Sequence, residues 1–298
     1  MKNIKKSWHL VYILIFIIAV LISVRLAYAQ KIAENESKRE ISTGKLAKSQ
    51  EKRNGIQILC YHRVIKSNWL TTVTKGLSNN NQIHEYSVTL PTFKHQLATL
   101  KKHHVRIISM RTAEKMLKTN KKFSHQYVVI TFDDCDQTVF ENAIPYLEKE
   151  QLPYTLFIIT GQTNQYNRGS QMEDWPEIKA LQKKSKLVTF GLHTNNLHYL
   201  VENKPALMLP ENYQAFKKDL RTAQKKFRTE LNLKSNLYAY PYGEATNRIQ
   251  KYLKKHGYLT FSLNTGIIDD DPTTKQGALP RIMVTDKAWK QGVLKWLK

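Results

Sequence analysis

The sequence predicts an α/β fold in which a parallel sheet is either open or closed into a barrel. Eight short apolar runs rich in β-branched and aromatic residues recur from residue 56 onwards, and each is typical of a buried strand. The stretches between them carry apolar residues at helical spacing. Strands that alternate with helices predict parallel βα units, because each helix returns the chain to the start of the next strand.

The predicted strands are residues 56–61, 105–109, 127–132, 154–159, 187–192, 236–240, 258–263 and 279–284. Three helices between them are predicted from apolar stripes that begin at Phe93, at Phe216 and at Ile249, the last of which ends before Gly257. These stripes are interpreted as core. The sequence shows no internal repeat, which argues against a solenoid.

The composition is that of a folded domain. Of 298 residues, 41% are hydrophobic and 24% are charged, which excludes wholesale disorder. The counts of 11 Gly and 9 Pro exclude a collagen-like chain. Two cysteines, Cys60 and Cys135, are too few for a disulfide framework or a structural zinc cluster. The chemistry of the protein must therefore come from histidines, carboxylates and hydroxyl groups.

The first 29 residues are predicted to be a signal peptide or an N-terminal membrane anchor. Three lysines precede residues 7–24, which carry no formal charge, and Ala27-Tyr28-Ala29 matches a cleavage site. Arg25 and the length of the apolar run leave cleavage and retention open. Both alternatives place the rest of the chain outside the cytoplasmic membrane, because the lysines stay inside. We therefore expect an extracellular protein at the cell surface, either secreted or anchored to the outer face of that membrane.

Residues 30–54 are predicted to be a polar linker, and residues 55–298 the folded domain. The net charge of the chain is +23, and residues 1–54 hold 11 Lys and Arg against 4 Glu, which leaves +16 for the domain. No nucleic-acid-binding signature is present, and nucleic acid is excluded as a partner of an exported protein. The charge favours a membrane or an anionic cell-wall surface as partner, with a merely solvated lysine-rich surface as the alternative.

Polar residues follow four of the predicted strands directly: His62, then Asp133 and Asp134, then His193 and His198, then Pro241-Tyr242-Gly243. Singly, these motifs have ordinary explanations, namely a helix cap, loop histidines and a turn. Because parallel strands end at one rim, the residues are expected to meet there. Carboxylate and imidazole ligands together suit a divalent ion with an open position, and a second carboxylate can act as a base.

The same residues resemble the motifs of NodB-type polysaccharide deacetylases, carbohydrate esterase family 4. Thr131-Phe132-Asp133-Asp134 is similar to the first motif, the run from His193 to His198 to the second, and Tyr240-Pro241-Tyr242-Gly243 to the third. Within the family, the chain resembles the poly-β-1,6-N-acetylglucosamine N-deacetylases of the intercellular adhesin type. That subgroup shares Tyr61-His62-Arg63-Val64, the run 133–138 and Leu279-Pro280-Arg281-Ile282, and the resemblance spans residues 56–290.

The resemblance implies a distorted (β/α)-barrel of about seven to eight parallel strands, the NodB-homology fold. It implies that Asp134, His193 and His198 hold the metal, which is zinc or alternatively nickel or cobalt. Asp133 would be the general base. Tyr242 would offer its backbone N–H to the oxyanion.

The chain departs from the family pattern at three places. Ala239 and Tyr240 precede Pro241 where an arginine is common, so no residue is assigned to orient the base. Leu192 replaces the usual serine before the first histidine. No histidine follows His256, so the late motif that supplies the general acid is missing. His62, at another strand end, is the candidate for that acid, and a structural histidine is the alternative.

The resemblance implies a hydrolase acting on linear amide C–N bonds, with metal-dependent N-deacetylation of an extracellular N-acetylglucosamine polymer. The expected substrate is poly-β-1,6-N-acetylglucosamine of the biofilm matrix, and acetate is released. The alternatives are a peptidoglycan or chitin-type deacetylase and a catalytically silent polysaccharide-binding module. A polymer substrate predicts an open groove, and the protein is expected to be a monomer.

Overall fold

The computed structural model describes residues 12–24 without 14 and 22, and residues 44–67, 86–119, 122–167 and 170–298. The described part of 12–24 is helical with exposed side chains. Across the described ranges, no helix is both long enough and apolar enough to cross a membrane. Most of the predicted leader and linker lies outside the described residues, and both remain predictions.

The main sheet has eight strands, which confirms the eight predicted runs. They are β1 Gly55–Tyr61, β2 Arg106–Ile107, β3 Gln126–Phe132, β4 Tyr154–Ile158, β5 Val188–Leu192, β6 Leu237–Ala239, β7 Leu259–Phe261 and β8 Ile282–Met283. Their order is β7-β6-β5-β4-β3-β1-β8, with β2 beside the first residues of β3, and every pair is parallel. Parallel pairing is what the alternation with helices predicts.

The sheet curls until its two edges nearly meet. At one edge β8 pairs with β1, where Leu59 lies opposite Ile282. Leu279, three residues before β8, bridges β7 in parallel at the other edge. Its N–H donates to Thr260 O at 2.8 Å, and its carbonyl accepts from Ser262 N at 2.9 Å. The segment 279–283 thus joins both edges, which confirms the predicted distorted barrel.

Helices pack against the sheet: α1 Leu90–Lys102, α2 Met110–Leu117, α3 Ile144–Lys149, α4 Trp175–Lys184, α5 Tyr213–Leu231, α6 Asn247–Lys255, α7 Asp286–Ala288 and α8 Leu294–Trp296. The three predicted helices correspond to α1, α5 and α6. Thr89, Ser109, Asp174 and Thr246 cap α1, α2, α4 and α6, each by accepting a backbone N–H of the first turn. Gly257, with φ of 76°, follows the end of α6 as predicted.

Both faces of the strands are buried, as continuous apolar runs predict. All seven residues of β1 and all seven of β3 are buried. One face packs on the helices. Alternate residues such as Ile58, Val129 and Phe261 form a second cluster with Met110 and Ala113 of α2, which fills the inside of the curl. The site described next lies at the carboxyl end of this barrel.

Candidate active site

The carboxyl ends of β1, β3, β5 and β6 bring the predicted site residues to one rim. Asp133 and Asp134 follow β3, and His193 follows β5 directly. The loop after His193 carries His198, and the turn Pro241–Gly243 follows β6. His62 follows β1. Residues from four strands meet because parallel strands end on the same side of a sheet.

Asp134, His193 and His198 form a compact set of metal-ligand atoms. Asp134 Oδ1 lies 3.5 Å from His193 Nε2 and 3.4 Å from His198 Nε2, and the two imidazole rings are 5.0 Å apart. Around a tetrahedral zinc with bonds of about 2.0–2.2 Å, ligand atoms are about 3.3–3.6 Å apart. The separations therefore fit three ligands of one divalent ion.

The surroundings of these atoms also fit an ion. Asp134 Oδ1 is buried without a hydrogen-bond partner, which is costly unless a cation takes that place. His193 Nδ1 lies 2.9 Å from the carbonyl oxygen of Ala239, so this nitrogen carries the proton and donates it. The lone pair of His193 is then on Nε2, the atom that faces Asp134. A carbonyl partner of this kind fixes the orientation of a metal-binding histidine.

Asp133 has a different partner, the guanidinium group of Arg281. Arg281 Nη1 donates to Asp133 Oδ1 at 2.7 Å and Nη2 donates to Oδ2 at 2.8 Å. Arg281 is fully buried and its Nε donates to Ser262 O at 3.1 Å. This bidentate pair fixes the plane of the carboxylate. Asp133 Oδ2 lies 3.8 Å from His193 Nε2, beside the ligand set.

Arg281 therefore orients the predicted base, a role that the sequence left unassigned. It lies in the run 279–284, which is predicted to be a strand and is also part of the family resemblance. A signal was present, because a charged side chain within a predicted buried strand requires a buried partner of opposite charge.

The two carboxyl groups are both ionised. Burial would raise the pKa of Asp133, but the charge and the hydrogen bonds of Arg281 outweigh it and hold the pKa well below its usual range. Burial would also raise the pKa of Asp134, but the neighbouring imidazoles of His198, His62 and His193, when they carry a proton, outweigh it and lower the pKa. Asp133 is locked in an ion pair, whereas an oxygen of Asp134 has no partner. This difference in partners is consistent with different roles for the two carboxylates, Asp133 as a base and Asp134 as a metal ligand.

His62 lies close to the base. One of its ring nitrogens, a carboxylate oxygen of Asp133 and the sulfur of Cys60 are within 4.8 Å of one another. The His62 ring packs edge-on against Tyr86, with centroids 4.9 Å apart. Burial lowers the pKa of His62, although the charges of Asp134 and Asp133 act in the opposite direction. The imidazole is therefore neutral near pH 7, and its role as an acid stays a prediction.

Tyr242 lies in the turn after β6, with a left-handed φ of 57°. Its ring centroid is 4.7 Å from that of His198. Gly243 follows with φ of 79°, and a Cβ there would lie 2.6 Å from the backbone nitrogen of Leu263. Glycine is required at this position, and it keeps the turn against the chain after β7. The role of the Tyr242 N–H stays a prediction.

Both cysteines are free and buried, which resolves the pairing that the sequence left open. Burial raises the pKa of the Cys60 and Cys135 thiols well above the usual value. Protonated thiols are poor nucleophiles, so neither cysteine is suited to covalent catalysis.

Comparisons with known proteins identify relatives of the chain. The family model for polysaccharide deacetylase matches residues 120–261. The poly-β-1,6-N-acetyl-D-glucosamine N-deacetylase of Staphylococcus aureus strain MSSA476 is 32% identical over 247 residues, covering 82% of this chain and 84% of the relative. The Staphylococcus epidermidis protein of the same name is 31% identical, with coverage of 82% and 84%.

Solved structures share the barrel. IcaB from Ammonifex degensii superposes with a TM-score of 0.71 and 30% identity, covering 83% of this chain and 98% of that one. The deacetylase PplD from Streptococcus pyogenes, at 20% identity and a TM-score of 0.62, shares the fold, with coverage of 82% and 98%. From the sequence identity, the coverage and the paired carboxylates and histidines at the rim, the chain belongs to the polysaccharide deacetylase family.

Proposed function

We propose that the protein is a metal-dependent deacetylase of poly-β-1,6-N-acetylglucosamine that acts outside the cell. The observation that carries this proposal is the placement of the metal-ligand set beside the Asp133–Arg281 pair. The substrate is supported by the names of the staphylococcal relatives, which match more than four-fifths of the chain. The reaction hydrolyses the acetamide C–N bond and yields acetate and a polymer amine.

Asp134, His193 and His198 are the residues that would hold the ion. A divalent ion held there would polarise the acetamide carbonyl and would lower the pKa of a water molecule from about 15.7 towards about 7. Zinc fits a set of one carboxylate and two imidazoles, and nickel and cobalt accept the same ligands.

Asp133 accepts the proton of the attacking water as the water oxygen bonds to the carbonyl carbon. Arg281 keeps this carboxylate ionised and fixes its orientation beforehand. In our proposal the backbone N–H of Tyr242 donates to the carbonyl oxygen as its negative charge develops.

His62 delivers a proton to the leaving amine in the proposed mechanism. Because its pKa is lowered, His62 is neutral at rest and must receive a proton before it can act as an acid. Asp133, whose carboxylate lies within 4.8 Å, has just taken one from water and holds it weakly. Transfer from Asp133 through His62 to nitrogen completes the cleavage of the C–N bond and restores the base.

We further propose that the enzyme is a monomer secreted from or anchored at the outer face of the cytoplasmic membrane. The lysine-flanked apolar segment and the polar linker after it support this location. The charge of +23 supports association with a membrane or an anionic wall polymer.

Acetate release from β-1,6-linked and β-1,4-linked N-acetylglucosamine oligomers tests the function. We expect release from the β-1,6 series, loss of activity on chelation and recovery when zinc is added back. Asp133→Asn is the control for contaminating deacetylases. Faster release from β-1,4 oligomers would favour the chitin or peptidoglycan alternative, and binding without any release would favour the silent module.

A further inference from the structure

We propose that Asp219 is a positioning residue that holds the loop between the two metal-binding histidines in its binding shape. The inference rests on the proposed metal site. Asp219 lies in the middle of α5, away from the strand ends that supply the ligands themselves. Nothing in its own sequence neighbourhood belongs to a catalytic motif.

The loop that Asp219 contacts supplies two of the three ligands. Residues 193–198 contain both histidines within six positions, and the chain must turn sharply for their Nε2 atoms to face the same carboxylate oxygen. Thr194 has φ of 74°, in the left-handed region that β-branched residues rarely adopt. The loop therefore needs a restraint from outside its own sequence.

Asp219 supplies that restraint through three short hydrogen bonds. Its Oδ2 accepts from Thr194 Oγ1 at 2.6 Å and from Asn195 N at 2.8 Å, and its Oδ1 accepts from Asn196 N at 2.7 Å. All three donors lie between the two histidines. Thr194 Oγ1 in turn accepts from Leu197 N at 3.1 Å, so the restraint reaches the residue next to His198.

Within the part of the chain that the structure describes, the carboxylate of Asp219 has no partner of opposite charge. No Lys, Arg or His nitrogen of the described residues lies within 4.0 Å of its oxygens, and Asp219 is only 8% exposed. A buried carboxylate without a cation persists only if its oxygens are well hydrogen-bonded. The loop amides and hydroxyl fulfil this condition, which ties the charge of Asp219 to the shape of the loop.

Other contacts should keep the loop folded when Asp219 is changed. Thr160 N donates to Thr194 O at 3.1 Å and Gly161 N donates to Asn195 O at 2.9 Å, both from the end of β4. We therefore expect a looser loop and not an unfolded one. Changes to groups behind a metal ligand typically weaken metal binding by about 10–100-fold.

The test is zinc affinity, measured by titration of the metal into metal-free wild type, Asp219→Asn and Asp219→Ala. Asparagine has one acceptor oxygen, and its NH₂ group would face a backbone N–H. We expect the dissociation constant to rise by about 10–100-fold in both variants. Acetate release should fall at limiting zinc and recover at saturating zinc.

Gln224→Ala is the matched control. Gln224 lies buried on α5 and donates to Ser235 O and Tyr258 Oη, away from the metal loop. This variant should lower the melting temperature without changing zinc affinity. If the Asp219 variants fail to fold, Thr194→Ser and Thr194→Val are tested in their place. Thr194→Ser keeps the hydroxyl donor and should bind zinc more tightly than Thr194→Val.

Zinc affinity in Asp219→Asn within twofold of wild type would refute the positioning role, as would an equal loss of affinity in Gln224→Ala. His193→Ala distinguishes a failure of the proposed metal site from a failure of the positioning role of Asp219. If it leaves zinc binding unchanged, the proposed metal site is wrong and the role of Asp219 falls with it. If it abolishes zinc binding while Asp219→Asn binds normally, only the role of Asp219 is wrong.

Discussion

Replacement of Arg281 by methionine would leave the carboxylate of Asp133 buried without its cation. Arg281 is fully buried and Asp133 is 1% exposed, so water cannot replace the guanidinium group. Methionine keeps an unbranched apolar side chain over Phe157, whose ring centre lies 5.3 Å from the guanidinium carbon. The substitution therefore removes the charge and the hydrogen bonds while retaining part of the packing.

The expected loss of stability is large. Removal of one partner of a buried ion pair costs about 3–5 kcal/mol, because an uncompensated charge remains. Here the loss includes two charge-assisted bonds to Asp133 and the bond to Ser262 O. A domain is stable by about 5–15 kcal/mol, so Arg281→Met should fold but unfold at much lower urea.

The loss should depend on pH, with a sign set by the two pKa values. In the wild type the pKa of Asp133 is held below its unfolded value of about 3.9, so its stabilising contribution exists above that pH and disappears in stronger acid. Without Arg281, burial dominates and the pKa rises above the unfolded value. The ionised carboxylate then destabilises the fold, and this penalty disappears as the pH falls through the raised pKa.

Urea denaturation of wild type and Arg281→Met between pH 5 and pH 8 measures the difference in their free energies of unfolding. The free energy of unfolding of the wild type should exceed that of Arg281→Met by more at pH 8 than at pH 5. The double variant Asp133→Asn/Arg281→Met, which removes both charges, should be more stable than Arg281→Met alone. The electrostatic reasoning would be refuted if the difference in stability between wild type and Arg281→Met did not depend on pH and the double variant were no more stable than Arg281→Met.

Three further predictions concern the site. Asp133→Asn should bind zinc normally and lose about 10²–10⁴-fold in turnover as a general base; an emptied metal site instead would mean that the two carboxylates exchange roles. Alanine in place of Asp134, His193 or His198 should abolish zinc binding while the far-ultraviolet circular dichroism stays unchanged. If a variant keeps its full zinc content and turnover, the residue replaced in it is not a ligand. Gly243→Ala, strained by its φ of 79° and its contact with Leu263, should lower turnover with zinc content intact, and unchanged turnover would contradict a need for this turn.

Local sequence patterns were sufficient for the strands of a parallel sheet but not for its closure into a barrel. Strands such as β3, with seven buried residues, coincide with the predicted run because continuous apolar residues indicate burial on both faces. The run 279–284 forms only the two-residue strand β8, since its earlier residue Leu279 bonds to β7 on the opposite edge. Which two edges meet depends on the curl of the whole sheet, and no short pattern contains that information.

The candidate site was likewise only partly predictable from the sequence. Asp134 and His193 could be placed at one rim because each directly follows a predicted strand in a parallel sheet. The partner of Asp133 is 148 residues away in sequence, so spacing could not identify Arg281. Asp219 lies between the apolar positions Phe216 and Leu220 of a predicted helix, where a carboxylate requires buried donors, but the pattern does not identify those donors.

Backbone strain at the rim is the feature that sequence patterns conceal most completely. Asp134, Cys135, Thr194 and Tyr242 all have positive φ, and each lies two or three residues after the end of a barrel strand. Such residues cost about 1–3 kcal/mol each, and apart from Asp134 their types do not mark them as left-handed. The cost persists because the fold holds the turns from outside, as Asp219 does for Thr194. The candidate ligand atoms are therefore brought together by the protein itself, in a loop arrangement that the barrel fixes.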